Sequence, residues 1–290
     1  GRVSAVVWAD FEKDGFPELV VMPEWGSPRL WRNRQGKLTP NEGAFAAANA
    51  LSGLWSSLAV GDFNGDGLLD LAGGNIGQNS GGLFRPEEGP HRLWWKAEPL
   101  RVRLIETHIA QGEEWPLAWW NHLEESAPGR ISRARSYSEY AERNVEELFG
   151  DLKSQGYELL EMREFRSGVF WQQADGSFQF QPLPAMAQSG RMVSLLAGDL
   201  NGDGISDLVA SLELPSMAPW TGRKERGHLL TMLGSKDKNL EVFLPNVSGL
   251  DVGAGSPRNL LWGDFDGDGS EELAVGLEEG LPLIFHRSAH

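Results

Sequence analysis

The sequence predicts an all-β chain of repeated strand–loop–strand units, on three observations. An acidic, glycine-punctuated phrase occurs three times, as GDFNGDGLLDL at Gly61–Leu71, GDLNGDGISDL at Gly198–Leu208 and GDFDGDGSEEL at Gly263–Leu273. Apolar runs flank every copy, SSLAV, VSLLA and NLLW before it and LLDLAGG, ISDLVAS and SEELAVG through it, each too short for a helix. The composition, with 36 glycines and 12 tryptophans in 290 residues, suits many turns and packed sheets. Self-similarity at roughly 40–50 residues marks propellers and solenoids. Four-stranded units of this kind pack radially, so the expected architecture is a single β-propeller of about five blades carrying one small helical insertion.

The elements follow in order. A weaker copy opens the chain, VSAVVWADFEKDGFPELVV from Val3 to Val21. PRLWRNR and KLTP, separated by Gln35-Gly36, supply an outer hairpin, and a first blade is expected over 1–50. The second blade is expected over 51–97. A third, over 98–185, starts with Leu100–Trp120, whose loop ETHIAQGEE lacks the phrase, and ends in GVFWQQADGSFQFQP, a hairpin turning at Asp175-Gly176. Its insertion, over 121–165, contains one predicted helix, SYSEYAERNVEELFG, with Ser136 and Glu139 as a capping box and Gly150 as the stop. Blades over 186–250 and 251–290 complete the set, the last ending LPLIFHRSAH with no fourth strand. Ser80–His91 and Leu214–Gly227 read as loops rich in Pro, Gly and charge.

Bulk properties narrow the function classes. The net charge of −15 argues against nucleic acid or anionic membrane as partner, since both need a basic face. Without cysteine, disulfides and thiolate metal sites are excluded. No run approaches 18 apolar residues, so no membrane span is expected.

The phrase itself has the chemistry of a hard-cation loop. Counting from the first acid, positions 1, 3, 5 and 9 offer side-chain oxygens, position 7 offers a carbonyl, and glycine at position 6 permits the reversal. These positions are Asp62, Asn64, Asp66, Leu68 and Asp70 in the first clear copy. They are Asp199, Asn201, Asp203, Ile205 and Asp207 in the next, and Asp264, Asp266, Asp268, Ser270 and Glu272 in the last. Oxygen donors in this number suit Ca²⁺, whereas zinc and copper would be expected to use His or Cys, which the loops lack. Three calcium sites are therefore expected. A fourth, weaker one is offered by Asp10, Glu12, Asp14, Phe16 and Glu18, where Lys13 stands at position 4 in place of glycine. An EF-hand is rejected, because position 12 is Gly73, Ala210 or Val275 and the flanks are strand-like.

With these residues in view, the phrase and its flanks resemble the FG-GAP/VCBS repeats of calcium-dotted β-propellers, the family that includes the integrin α-subunit head. GGNIGQNSG at Gly73–Gly81, SYSEYA…ELFG at Ser136–Gly150 and VFWQQADGSFQFQPLP at Val169–Pro184 are similar to a bacterial exported branch related to cartilage acidic protein. The resemblance implies an extracytoplasmic propeller with structural calcium, and it implies no chemistry; the abrupt start at Gly1, Arg2 and Val3 leads to the separate expectation of a removed export signal.

No catalytic constellation is legible. His91, His108, His122, His228, His286 and His290 show no metal spacing, and no nucleophile elbow or phosphate-cradling loop occurs. Glu113-Glu114 and Glu278-Glu279 read as solvated faces. Trp94, Trp95, Trp115, Trp119 and Trp120 crowd one segment and are candidates for an aromatic binding platform, with sheet-to-sheet packing as the competing role. Trp8, Trp55 and Trp262 beside the repeats are expected in the core. The leading functional expectation is a non-enzymatic, calcium-stabilised module that binds or scaffolds a protein or glycan outside the cytoplasm. The alternative is a carbohydrate-active enzyme, a polysaccharide lyase or hydrolase, on the same scaffold.

Overall fold

The computed structural model describes residues 2–45, 51–78, 87–118, 134, 136–213, 227–253 and 255–286. It divides into two units, Gly1–Gly81 with Phe165–His290, and Gly82–Glu164. Nearly all regular structure is antiparallel sheet, as the short apolar runs predict.

The first unit begins with β1 (Val3–Ala9), β2 (Glu18–Gly26), β3 (Arg29–Arg34) and β4 (Lys37–Pro40), paired in that order, with β5 (Gly53–Leu54) joined to β2. Gln35 and Gly36 both have positive φ, 53° and 89°, the type I′ turn whose twist matches a hairpin. Next come β6 (Ser57–Gly61) and β7 (Asp70–Gly74), one on each side of the second acidic loop.

The chain then builds the second unit before returning. Here β8 (His91–Glu98), β9 (Arg101–Ala110), β10 (Glu113–Pro116) and β11 (Glu158–Met162) form one sheet in the order β10-β9-β8-β11. Gln111 and Gly112, again at positive φ, close its hairpin. Trp94 and Ile105 from the sheet bury against Tyr140, Val145, Leu148 and Phe149, giving this unit its own core.

The predicted single helix is two, α1 (Tyr137–Ala141) and α2 (Val145–Phe149). Asn144 causes the break. Its side chain accepts from the Glu147 N–H at 2.9 Å while Glu147 reaches back to the Asn144 N–H at 3.0 Å, a complete capping box that starts a new helix. Ser136 caps α1 as expected, and Gly150 ends α2 at φ 72°. Asn144→Ala is expected to cost about 1 kcal/mol, read as faster amide exchange in Val145–Phe149 with the β-sheet amides unchanged.

Back in the first unit, β12 (Gly168–Gln172) pairs with β7 and β13 (Phe178–Pro182) with β12, giving the order β6-β7-β12-β13. The outer hairpin at Asp175-Gly176 therefore belongs to the sheet begun at residue 57. The single blade expected over 98–185 is instead split between two sheets, and the chain departs from the second sheet between its inner and outer hairpins. Aromatic packing explains the return. Phe170 and Phe180 lie 5.4 and 6.0 Å from Trp55, and Phe178 sits between Phe11 and Phe45.

The third sheet comprises β14 (Arg191–Gly198), β15 (Asp207–Glu213), β16 (His228–Leu233) and β17 (Glu241–Phe243), and the fourth β18 (Pro257–Gly263), β19 (Glu272–Leu277) and β20 (Leu283–Phe285). A 3₁₀ turn (Ala185–Gln188) leads into β14, and α3 (Pro245–Ser248) follows β17. The four sheets of this unit stack face to face in chain order. One apolar layer joins the first two through Val20, Met22, Trp55 and Phe170. Ala72, Val169, Leu208 and Met232 join the second and third, and Val209, Leu229, Leu273 and Val275 the third and fourth. Along β15, Leu208 and Val209 point into different layers, as strand alternation requires.

The same alternation corrects one expectation. Ala5, Val7 and Ala9 of β1 face the second sheet, which turns Val6 and Trp8 outward; Trp8 is 53% exposed rather than core. Trp55 is fully buried, and Trp262 is half-buried with its indole N–H on the Ala197 carbonyl at 3.0 Å. Most of the loops predicted at Ser80–His91 and Leu214–Gly227, and the insertion over 121–133, lie outside the described residues.

Candidate metal centres

All four acidic loops sit in the β1–β2, β6–β7, β14–β15 and β18–β19 hairpins and share one backbone form. Position 6 is left-handed in each, at Gly15, Gly67, Gly204 and Gly269, with φ from 84° to 90°. Position 4 is also left-handed, at Gly65, Gly202 and Gly267, and Lys13 in the opening loop adopts the same turn at φ 54°. A non-glycine residue in that region carries a conformational cost, so the loop form is imposed on Lys13 by its surroundings. Its ammonium donates to the Gly67 carbonyl of the neighbouring loop, which holds it there.

The side chains repeat as regularly as the backbone. The position 1 carboxylate accepts the N–H of position 6 in every loop: Asp10 from Gly15 at 2.9 Å, Asp62 from Gly67 at 2.8 Å, Asp199 from Gly204 at 2.9 Å and Asp264 from Gly269 at 3.0 Å. The position 5 carboxylates of Asp14, Asp66, Asp203 and Asp268 accept the N–H of position 7, at Phe16, Leu68, Ile205 and Ser270. Position 9 reaches back to the N–H of position 2, from Glu18 to Phe11, Asp70 to Phe63, Asp207 to Leu200 and Glu272 to Phe265.

Position 9 is also where the electrostatic load falls. Glu18, Asp70 and Asp207 are fully buried and Glu272 nearly so. Burial, reinforced by Asp66 and Asp62, pushes the Asp70 carboxyl up to about 7. Burial raises Asp207 and Glu18 in the same direction, with the neighbouring loop acids adding to it. One oxygen of Glu18, Oε1, is buried without a hydrogen-bond partner. Buried carboxylates beside further acids are costly unless a cation or proton joins them. An all-oxygen donor set around such a group fits Ca²⁺.

The loops differ in what the third strand contributes. In loops 2 and 3 the second oxygen of the position 9 Asp accepts a backbone N–H, Gln172 to Asp70 at 2.9 Å and Gly234 to Asp207 at 2.8 Å. In loop 1 the third strand delivers arginines: Arg32 meets Glu12 at 2.6 Å, and Arg34 meets Glu12 and Asp14 at 2.7 Å each. Two arginines at i and i+2 share one strand face beside the loop. That spacing was visible in RLWRNR, but the pairing needs the β2–β3 register. Loop 4 gathers its acids most tightly; atoms of Asp264, Asp266 and Asp268 lie within 4.8 Å of one another. Among the described residues no other loop brings three acid side chains so close, and loops 2 and 3 carry Asn at position 3.

Of the candidate platform tryptophans, Trp94 is taken into the core. Trp94 is 7% exposed in the core of the second unit, and its indole N–H donates to Glu114 at 2.6 Å. Glu114, expected on a solvated face, instead ties together Trp94, Thr107 and Arg92. Adjacent strand residues point to opposite faces, so the Trp94-Trp95 pair could not present both rings together. Trp95 and Trp115 are half-buried, Trp115 donating to the Ala110 carbonyl at 3.2 Å, and Trp119 and Trp120 lie outside the described residues.

Comparison with known proteins bears on the loops. The FG-GAP-like repeat family matches residues 10–73 and 166–210, which take in loops 1, 2 and 3. The chain carries FG-GAP-like repeats. Integrin alpha pat-2 of Caenorhabditis elegans is similar at 26% identity over 233 residues, covering 76% of this chain. The chain spans 17% of that relative's length. A solved structure, that of BBS1N in complex with ARL6DN soaked with lead, aligns with 100% of this chain and 94% of its own at 12% identity and a TM-score of 0.25. The all-β architecture is consistent with an FG-GAP repeat propeller, and three of the four acidic loops lie within the matched residues. Among the described residues no helix is long and apolar enough to cross a membrane.

Proposed function

We propose that this FG-GAP repeat chain is a non-enzymatic binding or scaffold module, stabilised by calcium and working outside the cytoplasm on a protein or glycan partner. One observation carries the reading: four hairpins of different sequence hold the same left-handed turns and the same carboxylate pattern around a buried acid. Calcium in loops 2, 3 and 4 would neutralise Asp62, Asp66 and Asp70, Asp199, Asp203 and Asp207, and Asp264, Asp266, Asp268 and Glu272. Bound there, the ion supplies charge and oxygen coordination and fixes the hairpins that border the sheets. Millimolar external calcium stands at 100 to 1,000 times the dissociation constant of an oxygen-ligand loop that binds at about 10⁻⁶–10⁻⁵ M. The likeness to an integrin alpha chain supports a protein partner. The loss of Trp94 to the core weakens the carbohydrate-platform alternative.

Native mass spectrometry of chelator-stripped protein titrated with Ca²⁺ tests the reading. Three ions are expected, because in loop 1 Arg32 and Arg34 already hold Glu12 and Asp14. The Arg32→Ala/Arg34→Ala double variant frees those carboxylates and is expected to take a fourth ion. No uptake by either protein would sink the calcium reading.

A further inference from the structure

The four loops can be compared at one further position, the third-strand residue next to the partner of position 10. Position 10 pairs as Leu19 with Trp31, Leu71 with Phe170, Leu208 with Met232 and Leu273 with Phe285. The residue after each partner is Arg32, Trp171, Leu233 and His286. In loops 2 and 3 the slot is apolar and position 9 is Asp. In loops 1 and 4 the slot is polar and position 9 is the longer Glu. Arg32 uses the slot to bring a permanent cation to the position 3 acid.

His286 uses it differently. Its Nδ1 lies 3.8 Å from an oxygen of Asp266 at position 3 and 3.9 Å from Oε1 of Glu272 at position 9. Both separations are too long for hydrogen bonds. They approach the roughly 3.4 Å between two donors on one tetrahedral ion with bonds of about 2.0–2.1 Å. The three atoms lie within 4.8 Å of one another, and Glu272 is 2% exposed while His286 stays accessible to solvent.

We infer that loop 4 is a mixed nitrogen–oxygen site for a borderline divalent ion of the zinc class, held by Asp266, Glu272 and His286. The inference rests on the reading of these hairpins as cation loops. Its chemical reason is donor softness. A neutral imidazole adds little for Ca²⁺, which prefers oxygen, but it favours Zn²⁺ and its first-row neighbours. Loops 2 and 3, with Trp171 and Leu233 at the equivalent register position, have no imidazole in that slot and stay oxygen-only. The chain thereby separates two metals by one residue per hairpin.

The test titrates Zn²⁺ into calcium-saturated protein and follows metal content by native mass spectrometry. One of three calcium ions is expected to exchange for zinc. In His286→Ala the exchange weakens by at least about 10-fold, the size that outer-shell losses alone can reach. His286 is exposed at a strand end, and retention of three calcium ions by His286→Ala shows that the fold is intact. Calcium at three sites with no zinc exchange, exchange at all loops alike, or exchange that survives His286→Ala overturns the inference and leaves the calcium reading standing. A single His286-dependent zinc in a protein that takes no calcium upholds the inference and sinks the calcium reading.

Discussion

On the calcium reading, chelation is expected to lower the melting temperature of the first unit by on the order of 20 °C. An ion held at 100 to 1,000 times its dissociation constant contributes about 2.7–4.1 kcal/mol per site, and three loops act together. For a unit of this size each kcal/mol moves the midpoint by about 2–4 °C. The pH dependence reverses between the two states. In metal-free protein the folded-state carboxyl of Asp70 sits at about 7, above its unfolded value of 3.8, because burial disfavours the charge. Between those values the folded state binds more protons, so stability falls as pH rises from about 4 to about 7. Asp207 and Glu18 are raised by burial and add to the same slope. Calcium needs the ionised carboxylates, so the loaded protein is more stable at pH 8 than at pH 5.5. Melts at both pH values, with chelator and with calcium, check this. Equal midpoints with and without the ion, or a metal-free midpoint that climbs with pH, would refute it.

Phe170→Ala destabilises the first unit by about 3–5 kcal/mol, the usual cost of truncating a buried aromatic ring. Phe170 is fully buried and touches Trp55, Phe45 and Phe180. The informative readout is where the damage falls. Phe170 pairs with Leu71 across the strand order β6-β7-β12-β13. Amide exchange should therefore accelerate in Asp70–Gly74, almost a hundred positions earlier in the chain, and leave β8 to β11 unchanged. Acceleration confined to β12 and β13, or shared by the second unit, would contradict this sheet assignment.

The hairpins were legible because their signals are local. Glycine at positions 4 and 6, acids at 1, 5 and 9, and apolar runs on both sides act within eleven residues, and loops 2, 3 and 4 follow from them directly. Loop 1 shows the limit of that reasoning. Lys13 breaks the glycine pattern, yet its backbone takes the same turn because the neighbouring loop's Gly67 carbonyl holds its ammonium. The two short helices were half legible: Ser136 and Gly150 mark the ends, but Asn144 and Glu147 form a capping box inside the predicted span.

What the sequence determined by itself is the all-β class, the acidic hairpins and the residue at each position of the cation loops. Short apolar runs bounded by turn residues and φ-permissive glycines act locally, whatever the rest of the chain does. Only the tertiary structure decided which strands share a sheet. Pairing β7 with β12 depends on Trp55, Phe170 and Phe178 filling one layer, a contact between residues more than a hundred positions apart. It also decided that Trp94 is core, that Trp8 is exposed, and that Arg32 and His286 occupy equivalent places beside different loops. Those outcomes depend on strand register and on which sheet covers which face, and no local pattern encodes them.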